Sequence, residues 1–227
     1  MSYDFDFGFL ADYWMEFVGG AWLTAKISLL ATATGFVLGT ALAISRTGSV
    51  GWLRGFASGY VEIVRNTPLI VQTFWIFFGL ASLGIRLPAF LAAVLALTLN
   101  VGAYSCEIIR AGIETIRKGQ LEAAESLGLS RARLLLDVVL PPAIERVFPA
   151  LSSQYVLMML ASSIMAQISA EELMAAASRI QSDTFRGFEV YIVVAAIYVV
   201  LALLFHLLFE AIARLAFRRR RRLGTPL

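Results

Sequence analysis

Three polar residues in a long apolar stretch stand at the spacing of one helix face. Asn100, Tyr104 and Glu107 follow at i, i+4 and i+7, which places them on the same side of an α-helix. An amide, a phenol and a carboxylate offer hydrogen bonds and one negative charge. In a membrane-spanning helix such side chains usually face a cavity or the bundle interior. We predict that this face contributes to a path for a polar solute. The alternative is that these groups only hydrogen-bond between helices.

A second polar stripe occurs in the stretch 147–169. Its members share one broad arc of a helix and carry hydroxyl, phenol or amide groups: Ser152, Tyr155, Ser163 and Gln167. Such groups bind polar solutes or join helices, and both interpretations remain open. We treat the two stripes together as the predicted translocation path.

Charged and helix-breaking residues interrupt the stretch 56–81. Arg65 lies one turn from Glu62, where an ion pair along the helix can form, and it could instead pair with Glu107 across helices. Pro68 lacks a backbone donor and is predicted to kink or break the helix. We assign Arg65 and Pro68 a gating or a structural role.

Bond-making chemistry finds little support in the sequence. The chain has one cysteine, Cys106, and one histidine, His206, so an intrachain disulfide and a histidine-based metal site are excluded. It contains no G-x-x-x-x-G-K-[ST] phosphate loop and no HExxH metal motif. We predict no catalytic residues and no bound metal, and a membrane-embedded enzyme remains only as a rival hypothesis.

The composition indicates which elements must position these residues. The 227 residues are 59% hydrophobic and 15% charged, whereas a soluble domain carries about 45–50% and about 25%. A helix that crosses a bilayer needs about 20 mostly apolar residues. Five stretches approach this length, and they cover 21–44, 56–81, 87–109, 147–169 and 188–213. We therefore predict an all-α polytopic membrane protein with about five transmembrane helices.

The basic residues are distributed unevenly between the connections. One set of connections, with the end of the chain, holds Arg46, Arg54, Arg110, Arg117, Lys118, Arg131, Arg133, Arg146, Arg214 and Arg218–Arg222, and the other set holds only Arg86, Arg179 and Arg186. Lysine and arginine are enriched in cytoplasmic loops, which predicts an external N-terminus and a cytoplasmic C-terminus. This gives an external segment 1–20, a transmembrane domain 21–217 and a basic cytoplasmic tail 218–227. We interpret the tail as an anchor near anionic lipid rather than a nucleic-acid site.

The segment 119–142 is the most informative part of the longest cytoplasmic connection, which covers about 110–146. Leu121–Leu127 is rich in helix formers, and Gly128 stands where a helix ends in a left-handed residue. Ser130 is predicted to cap a second helix over 131–139, which Pro141 and Pro142 would terminate. A helix displayed in this way suits docking into a groove on a partner. The alternative is an amphipathic connector that lies on lipid.

The spacing within this segment resembles the EAA loop of permeases from ATP-binding cassette (ABC) importers. The pattern consists of Glu122, Ala123, Ala124, Gly128, Val138, Leu140 and Pro141, with valine where the family usually has isoleucine. Two further runs, Arg65–Gln72 and Asn100–Tyr104, together with Glu107, Arg110 and Lys118–Gln120, resemble the polar amino-acid subfamily. The resemblance covers about residues 20–200.

This resemblance implies a type I ABC importer permease in the bacterial inner membrane, with a cytoplasmic coupling helix. It implies four kinds of partner: a dimer of ATP-binding subunits, a second permease subunit (identical or different), an extracytoplasmic substrate-binding protein, and an amino-acid substrate. No cofactor is expected on this chain, and ATP and magnesium are expected on the partner ATPase. Membrane lipid completes the predicted surroundings, and no nucleic acid is expected.

One stretch departs from the subfamily. Many members carry Lys-Asp-Thr-Ser-Leu in the fourth span, whereas this chain has Leu160–Ile164 with no charge there. The departure leaves the identity of the amino acid open but does not change the predicted transport class. A stand-alone secondary transporter or channel is the main rival hypothesis, and it predicts transport by this chain without an ATPase.

Overall fold

The computed structural model describes residues 5–217, and all regular structure in that range is helical. The 1–4 segment and the basic tail 218–227 lie outside the described residues. The helices are α1 (Leu10–Thr47), α2 (Gly51–Arg65), α3 (Leu69–Ser82), α4 (Ala89–Glu114), α5 (Lys118–Ser126), α6 (Arg131–Arg133), α7 (Leu140–Ala161), α8 (Leu173–Thr184) and α9 (Gly187–Ala216). The all-α class predicted from the sequence is confirmed.

Helix α1 packs closely along α4, and small residues make this approach possible. A Cβ atom added at Gly35 would come within 2.5 Å of Val101 Cγ1, and one at Gly39 would come equally close to Ser105 Cβ. These glycines therefore permit a backbone approach that a side chain would block. The equivalent ridge at Gly51, Gly55 and Gly59 on α2 has open space at each Cβ position, so it contacts nothing within the described part of the chain.

Three described helices are long and apolar enough to cross a membrane, namely α1, α4 and α9. The α2–α3 pair would make a fourth, and its two halves meet at an angle of 108° beside Pro68. The predicted break in the second span is therefore present. Helix α1 begins at Leu10, well before the predicted start near residue 21, so part of the segment 1–20 is helical.

The predicted span 147–169 differs most from the structure. Its α-helix ends at Ala161, and the chain continues as a tighter 3₁₀ helix over Ser162–Ile168. This stretch is therefore not one of the described helices that are long and apolar enough to cross a membrane. Serine and glutamine side chains lower the mean hydropathy of this stretch.

The second helix of the 119–142 segment does not end where the sequence predicted. A π-helical segment, Leu134–Val139, follows α6 and leads directly into α7, so Pro141 and Pro142 do not terminate the helix. Both prolines occupy the first turn of α7. Neither proline can donate an amide hydrogen bond to the preceding turn, and the chain before them is π-helical rather than α-helical. The predicted short helix is thus the start of a longer one.

A buried carboxylate fastens α8 to its neighbours. Glu172, whose side chain is fully buried, caps α8 by accepting a hydrogen bond from the Ala175 amide at 3.0 Å. The same carboxylate accepts hydrogen bonds from the Tyr198 hydroxyl of α9 at 3.0 Å and the Thr24 hydroxyl of α1 at 3.3 Å. One side chain therefore joins three helices.

Candidate functional site

Glu107 lies at the centre of an ion cluster formed by α1, α2 and α4. It pairs with Arg46 of α1, with Arg110 one turn away at 3.1 Å, and with Arg65 of α2 at 3.6 Å. The structure therefore places Arg65 against Glu107, whereas Glu62 accepts a hydrogen bond from Asn66. The sequence had left these two pairings of Arg65 open.

The cluster carries more positive than negative charge. Three guanidinium groups pair with Glu107, and one of them, Arg110, also pairs with Glu114, so three positive charges stand against two negative charges. Arg65 has the longest contact with Glu107 and the most exposed side chain of the three arginines, at 38%. Arg65 is thus the guanidinium with the greatest freedom to bind another anionic group.

A cavity of about 500 Å³ opens beside this arginine. Arg65, Asn100 and Tyr104 line it together with the Asn66–Leu69 turn. The Arg65 guanidinium lies over the Tyr104 ring, 5.5 Å from its centroid, in a geometry that favours a cation–π contact. The face of α4 that the sequence singled out therefore borders a cavity at Asn100 and Tyr104 and ends in the ion cluster at Glu107.

The break at Pro68 shapes the cavity. Pro68 precedes the first residue of α3 in an extended conformation, and Gln72 folds back over the break. The Gln72 side-chain amide donates to the Val64 carbonyl at 2.7 Å and the Thr67 carbonyl at 3.0 Å, and its oxygen accepts from Asn100 at 3.2 Å. Carbonyl groups freed by the broken helix are thereby satisfied, which stabilises the bend.

The far wall of the cavity comes from α7 and the 3₁₀ segment but not from the predicted stripe. Met158, Ala161 and Ile164 line it. Tyr155 is 3% exposed and exchanges a hydrogen bond with Ser105 at 3.1 Å in the core. Ser152 and Ser163 donate to carbonyls of their own helical turns, and Gln167 is exposed elsewhere. A pathway role for these four residues stays a prediction, and the structure does not bring them to this cavity.

The 119–142 segment projects as a helix–turn–helix, as the sequence predicted. Gly128 has a φ of +71°, in the left-handed region that favours glycine, and nothing crowds the position of a Cβ atom. Ser130 caps α6 by accepting a hydrogen bond from the Arg133 amide at 3.4 Å. Glu122 and Ala123 are exposed and Ala124 is buried, so α5 presents one face outward.

The second half of the pattern lies on the continuous helix. Val138 stands in the π-helical segment, and Leu140 and Pro141 begin α7. Val138 and the cavity-lining residues Met158 and Ala161 therefore lie on one helical run from Leu134 to Ala161, which contains Pro149. No signal in the sequence indicated this continuous helical run, since consecutive prolines usually mark the end of a helix.

Within residues 5–217, no group of three or more His, Cys, Asp or Glu side chains could hold a metal ion. The single cysteine, Cys106, is buried. The acidic residues that the structure brings together are engaged with arginines or hydroxyls, as at Glu107 and Glu172. What the site offers is a charged cavity and a projecting helix pair.

Comparisons with known proteins identify the family to which the chain belongs. Residues 35–220 match the model described as "Binding-protein-dependent transport system inner membrane component". The Probable glutamine ABC transporter permease protein GlnM of Bacillus subtilis is 39% identical over 194 residues, which are 86% of this chain and 90% of that protein. The Octopine transport system permease protein OccM of Rhizobium meliloti is 33% identical over 98% of this chain and 94% of its own length.

A solved structure agrees with these relatives. The crystal structure of an amino acid ABC transporter with histidines contains a chain that is 40% identical, with a TM-score of 0.83. The match covers 93% of this chain and 99% of that one. These relatives are transport proteins rather than enzymes.

Proposed function

The chain belongs to the family of inner membrane components of binding-protein-dependent transport systems, and we propose that it translocates a polar amino acid into the cytoplasm. In this proposal the 119–142 segment is the coupling loop, and ATP is hydrolysed on a separate polypeptide. The observation that carries the proposal is the projecting helix–turn–helix, whose EAA pattern stands on an exposed helix face and on a continuous extension of α7.

The coupling role is based on the continuity of this extension with α7. A partner that grips Glu122, Ala123 and the turn at Gly128 would displace α5 relative to α7. Because Val138 and Met158 belong to one helical run, we expect part of that displacement to reach the cavity. Two arrangements of the bundle, one favoured by the ATP-bound partner, would then alternate access to the cavity from either side.

The charge of the cavity supports an amino acid as substrate. Every amino acid carries a carboxylate, and Arg65 is the guanidinium of the ion cluster that faces the cavity with the greatest freedom. Bidentate pairing of arginine with a carboxylate is strong and directional. Asn100 and Tyr104 would bind the remaining polar groups of the substrate. The relatives named for glutamine and octopine transport are consistent with this class.

The remaining parts of the machine are proposed from the family. A dimer of ATPase subunits with ATP and magnesium would bind the coupling loop, and a second permease subunit would complete the path. An extracytoplasmic binding protein would deliver the substrate. The basic residues near Gly128 and the excess of arginine in the same connections favour a cytoplasmic location for this segment, with the N-terminus outside.

The direct test is reconstitution of the co-purified complex in liposomes. ATP hydrolysis is measured with the binding protein loaded, in turn, with each polar amino acid. We expect one or a few amino acids to stimulate hydrolysis and uptake together. Uptake by this chain alone, driven by an ion gradient without ATPase subunits, would instead support the secondary-transporter hypothesis.

A substitution in the turn tests the coupling role separately. Gly128→Asp places a side chain and a negative charge at a turn whose backbone is left-handed. We expect uptake to be lost while membrane insertion stays normal, and Glu122→Lys is expected to act in the same way. Gly84→Asp is the matched control, because Gly84 has a φ of +88° and equally open surroundings in the α3–α4 connection. Equal uptake by the two glycine variants would contradict the coupling role.

A further inference from the structure

A groove of about 700 Å³ lies between the proposed coupling loop, residues 119–142, and the end of α9. Its apolar surface includes Leu127, Val138 and Phe217, and its charged groups are Asp137 and Glu145. No lysine or arginine is among the residues that line it in the described part of the chain. The volume falls in the range of about 300–1,000 Å³ that is typical of ligand pockets. The groove therefore offers a negatively charged, partly apolar surface.

The end of the described chain lies in this groove. Phe217 forms part of its wall and packs edge-on against Phe148, with ring centroids 5.1 Å apart. The residues that follow directly are five consecutive arginines, Arg218–Arg222, and the sequence continues to Leu227. Ten residues can extend about 35 Å. The most basic run of the chain thus starts at the edge of a groove whose charges are both negative.

We propose that the basic tail 218–227 folds back into this groove, with its arginines against Asp137 and Glu145. The occupant is this chain's own segment, selected by position and by charge complementarity. In this proposal, docking of the tail links the end of α9 to the coupling loop, residues 119–142. A movement of the coupling loop would then also move α9. The proposal concerns contacts within one chain and does not depend on the transported substrate.

Tethering makes the contact effective although each ion pair is weak. Exposed ion pairs contribute only about 0–1 kcal/mol, but a segment attached at Phe217 is held at a high effective concentration near the groove. The interaction is screened by salt, because the Debye length shrinks from about 10 Å at 0.1 M to about 3 Å at 1 M ionic strength. Anionic lipid offers the tail a competing surface, and the experiment separates the two destinations.

Cysteine cross-linking in the full-length chain tests the proposal. Leu127→Cys, in the groove, is combined with Arg220→Cys in the tail, and disulfide formation is measured by mass spectrometry of peptides from proteoliposomes. Cys106 can remain because its side chain is 0% exposed. The matched control replaces Leu136, which is also exposed but does not line the groove. We expect the Leu127 pair to cross-link several-fold faster than the Leu136 pair.

Two further measurements test whether charge attraction brings the tail to the groove. Asp137→Asn with Glu145→Gln should slow cross-linking of the Leu127 pair about fivefold, as expected when two exposed ion pairs are lost, and 1 M salt should have a similar effect. Equal rates for the Leu127 and Leu136 pairs would overturn the proposal, because they would indicate random collision. Cross-linking in neutral phosphatidylcholine vesicles that disappears when phosphatidylglycerol is added would also overturn it, and would assign the tail to the lipid surface.

Discussion

Two carboxylates lie within the helix bundle in opposite surroundings. Glu107 is surrounded by the guanidinium groups of Arg46, Arg65 and Arg110, and its side chain is 20% exposed. Glu172 is fully buried, and the hydrogen bonds it accepts come from two hydroxyls and a backbone amide. The first carboxylate lies beside a cavity, whereas the second lies where three helices meet.

The difference suggests different roles: Glu107 organises a charged site beside the cavity, whereas Glu172 stabilises the fold. Around Glu107, the arginines outnumber the carboxylates, so the cluster retains capacity for a further anion. Around Glu172, each oxygen accepts a hydrogen bond and nothing remains open to solvent. We therefore expect substitutions at Glu172 to affect stability first and substitutions around Glu107 to affect transport first.

The largest effect on folding is expected for Glu172→Ala. It removes the cap of α8 and leaves the hydroxyls of Tyr198 and Thr24 without an acceptor. Loss of a cap costs about 1 kcal/mol and an unsatisfied buried group costs about 1–3 kcal/mol, so a loss of about 2–4 kcal/mol is expected. Thermal unfolding of the detergent-solubilised complex measures it. Glu171→Ala is the control, since Glu171 is 78% exposed and its ion pair with Arg179 is long, at 3.8 Å. Equal melting temperatures for the two variants would show that Glu172 does not stabilise the fold.

The largest effect on transport is expected for Glu107→Gln. The amide keeps the shape but no longer balances the guanidinium groups of Arg46 and Arg110, so their positions at the cavity change. We expect uptake and substrate-stimulated ATP hydrolysis to fall about tenfold, which corresponds to about 1.4 kcal/mol, with a smaller loss of stability than Glu172→Ala produces. Glu16→Gln serves as the control, because Glu16 pairs with Arg179 at 3.6 Å, away from the cavity. If both variants transport equally, Glu107 does not belong to the pathway.

A more selective effect is expected at Arg65. Arg65→Met removes the guanidinium that faces the cavity but leaves Glu107 paired with Arg46 and Arg110. Because a hydrogen bond to a charged group contributes about 1.5–3 kcal/mol, we expect the apparent KM for substrate-driven ATP hydrolysis to rise about tenfold or more. The basal ATPase rate should change little. Arg54→Met, on the same helix and also exposed, provides the comparison. A lowered kcat with an unchanged KM would show that Arg65 does not bind substrate.

The two carboxylates also show how far the sequence predicts the site. Asn100, Tyr104 and Glu107 were recognisable because one helix carries all of them at a regular spacing. The turn at Gly128 and the break at Pro68 were recognisable because each depends on the local chemistry of one residue. Features that depend on a single helix or turn could therefore be identified without a structure.

The features that the sequence missed depend on distant contacts. Glu172 has partners 148 residues before it, at Thr24, and 26 residues after it, at Tyr198. Nothing in the Glu-Glu pair at 171–172 indicates which side chain is buried. The cavity wall at Met158 and Ala161 was missed for a related reason. Its side chains are apolar, so their residue types do not distinguish a cavity wall from a surface packed against another helix.

The smallest effect is expected at Tyr155, which we place with Glu172 as a structural group. Tyr155→Phe removes one hydroxyl that exchanges a hydrogen bond with Ser105 at 3.1 Å, and the ring remains packed beside Phe209. One such bond contributes about 1 kcal/mol, so the melting temperature should fall by a few degrees relative to Tyr191→Phe, an exposed control on α9. Uptake should be unchanged, because the cavity wall on this side consists of Met158, Ala161 and Ile164. A change in KM without a change in melting temperature would support the pathway role that the sequence predicted for Tyr155. It would also show that a buried pair of hydroxyl groups, like the ion cluster at Glu107, can influence substrate binding.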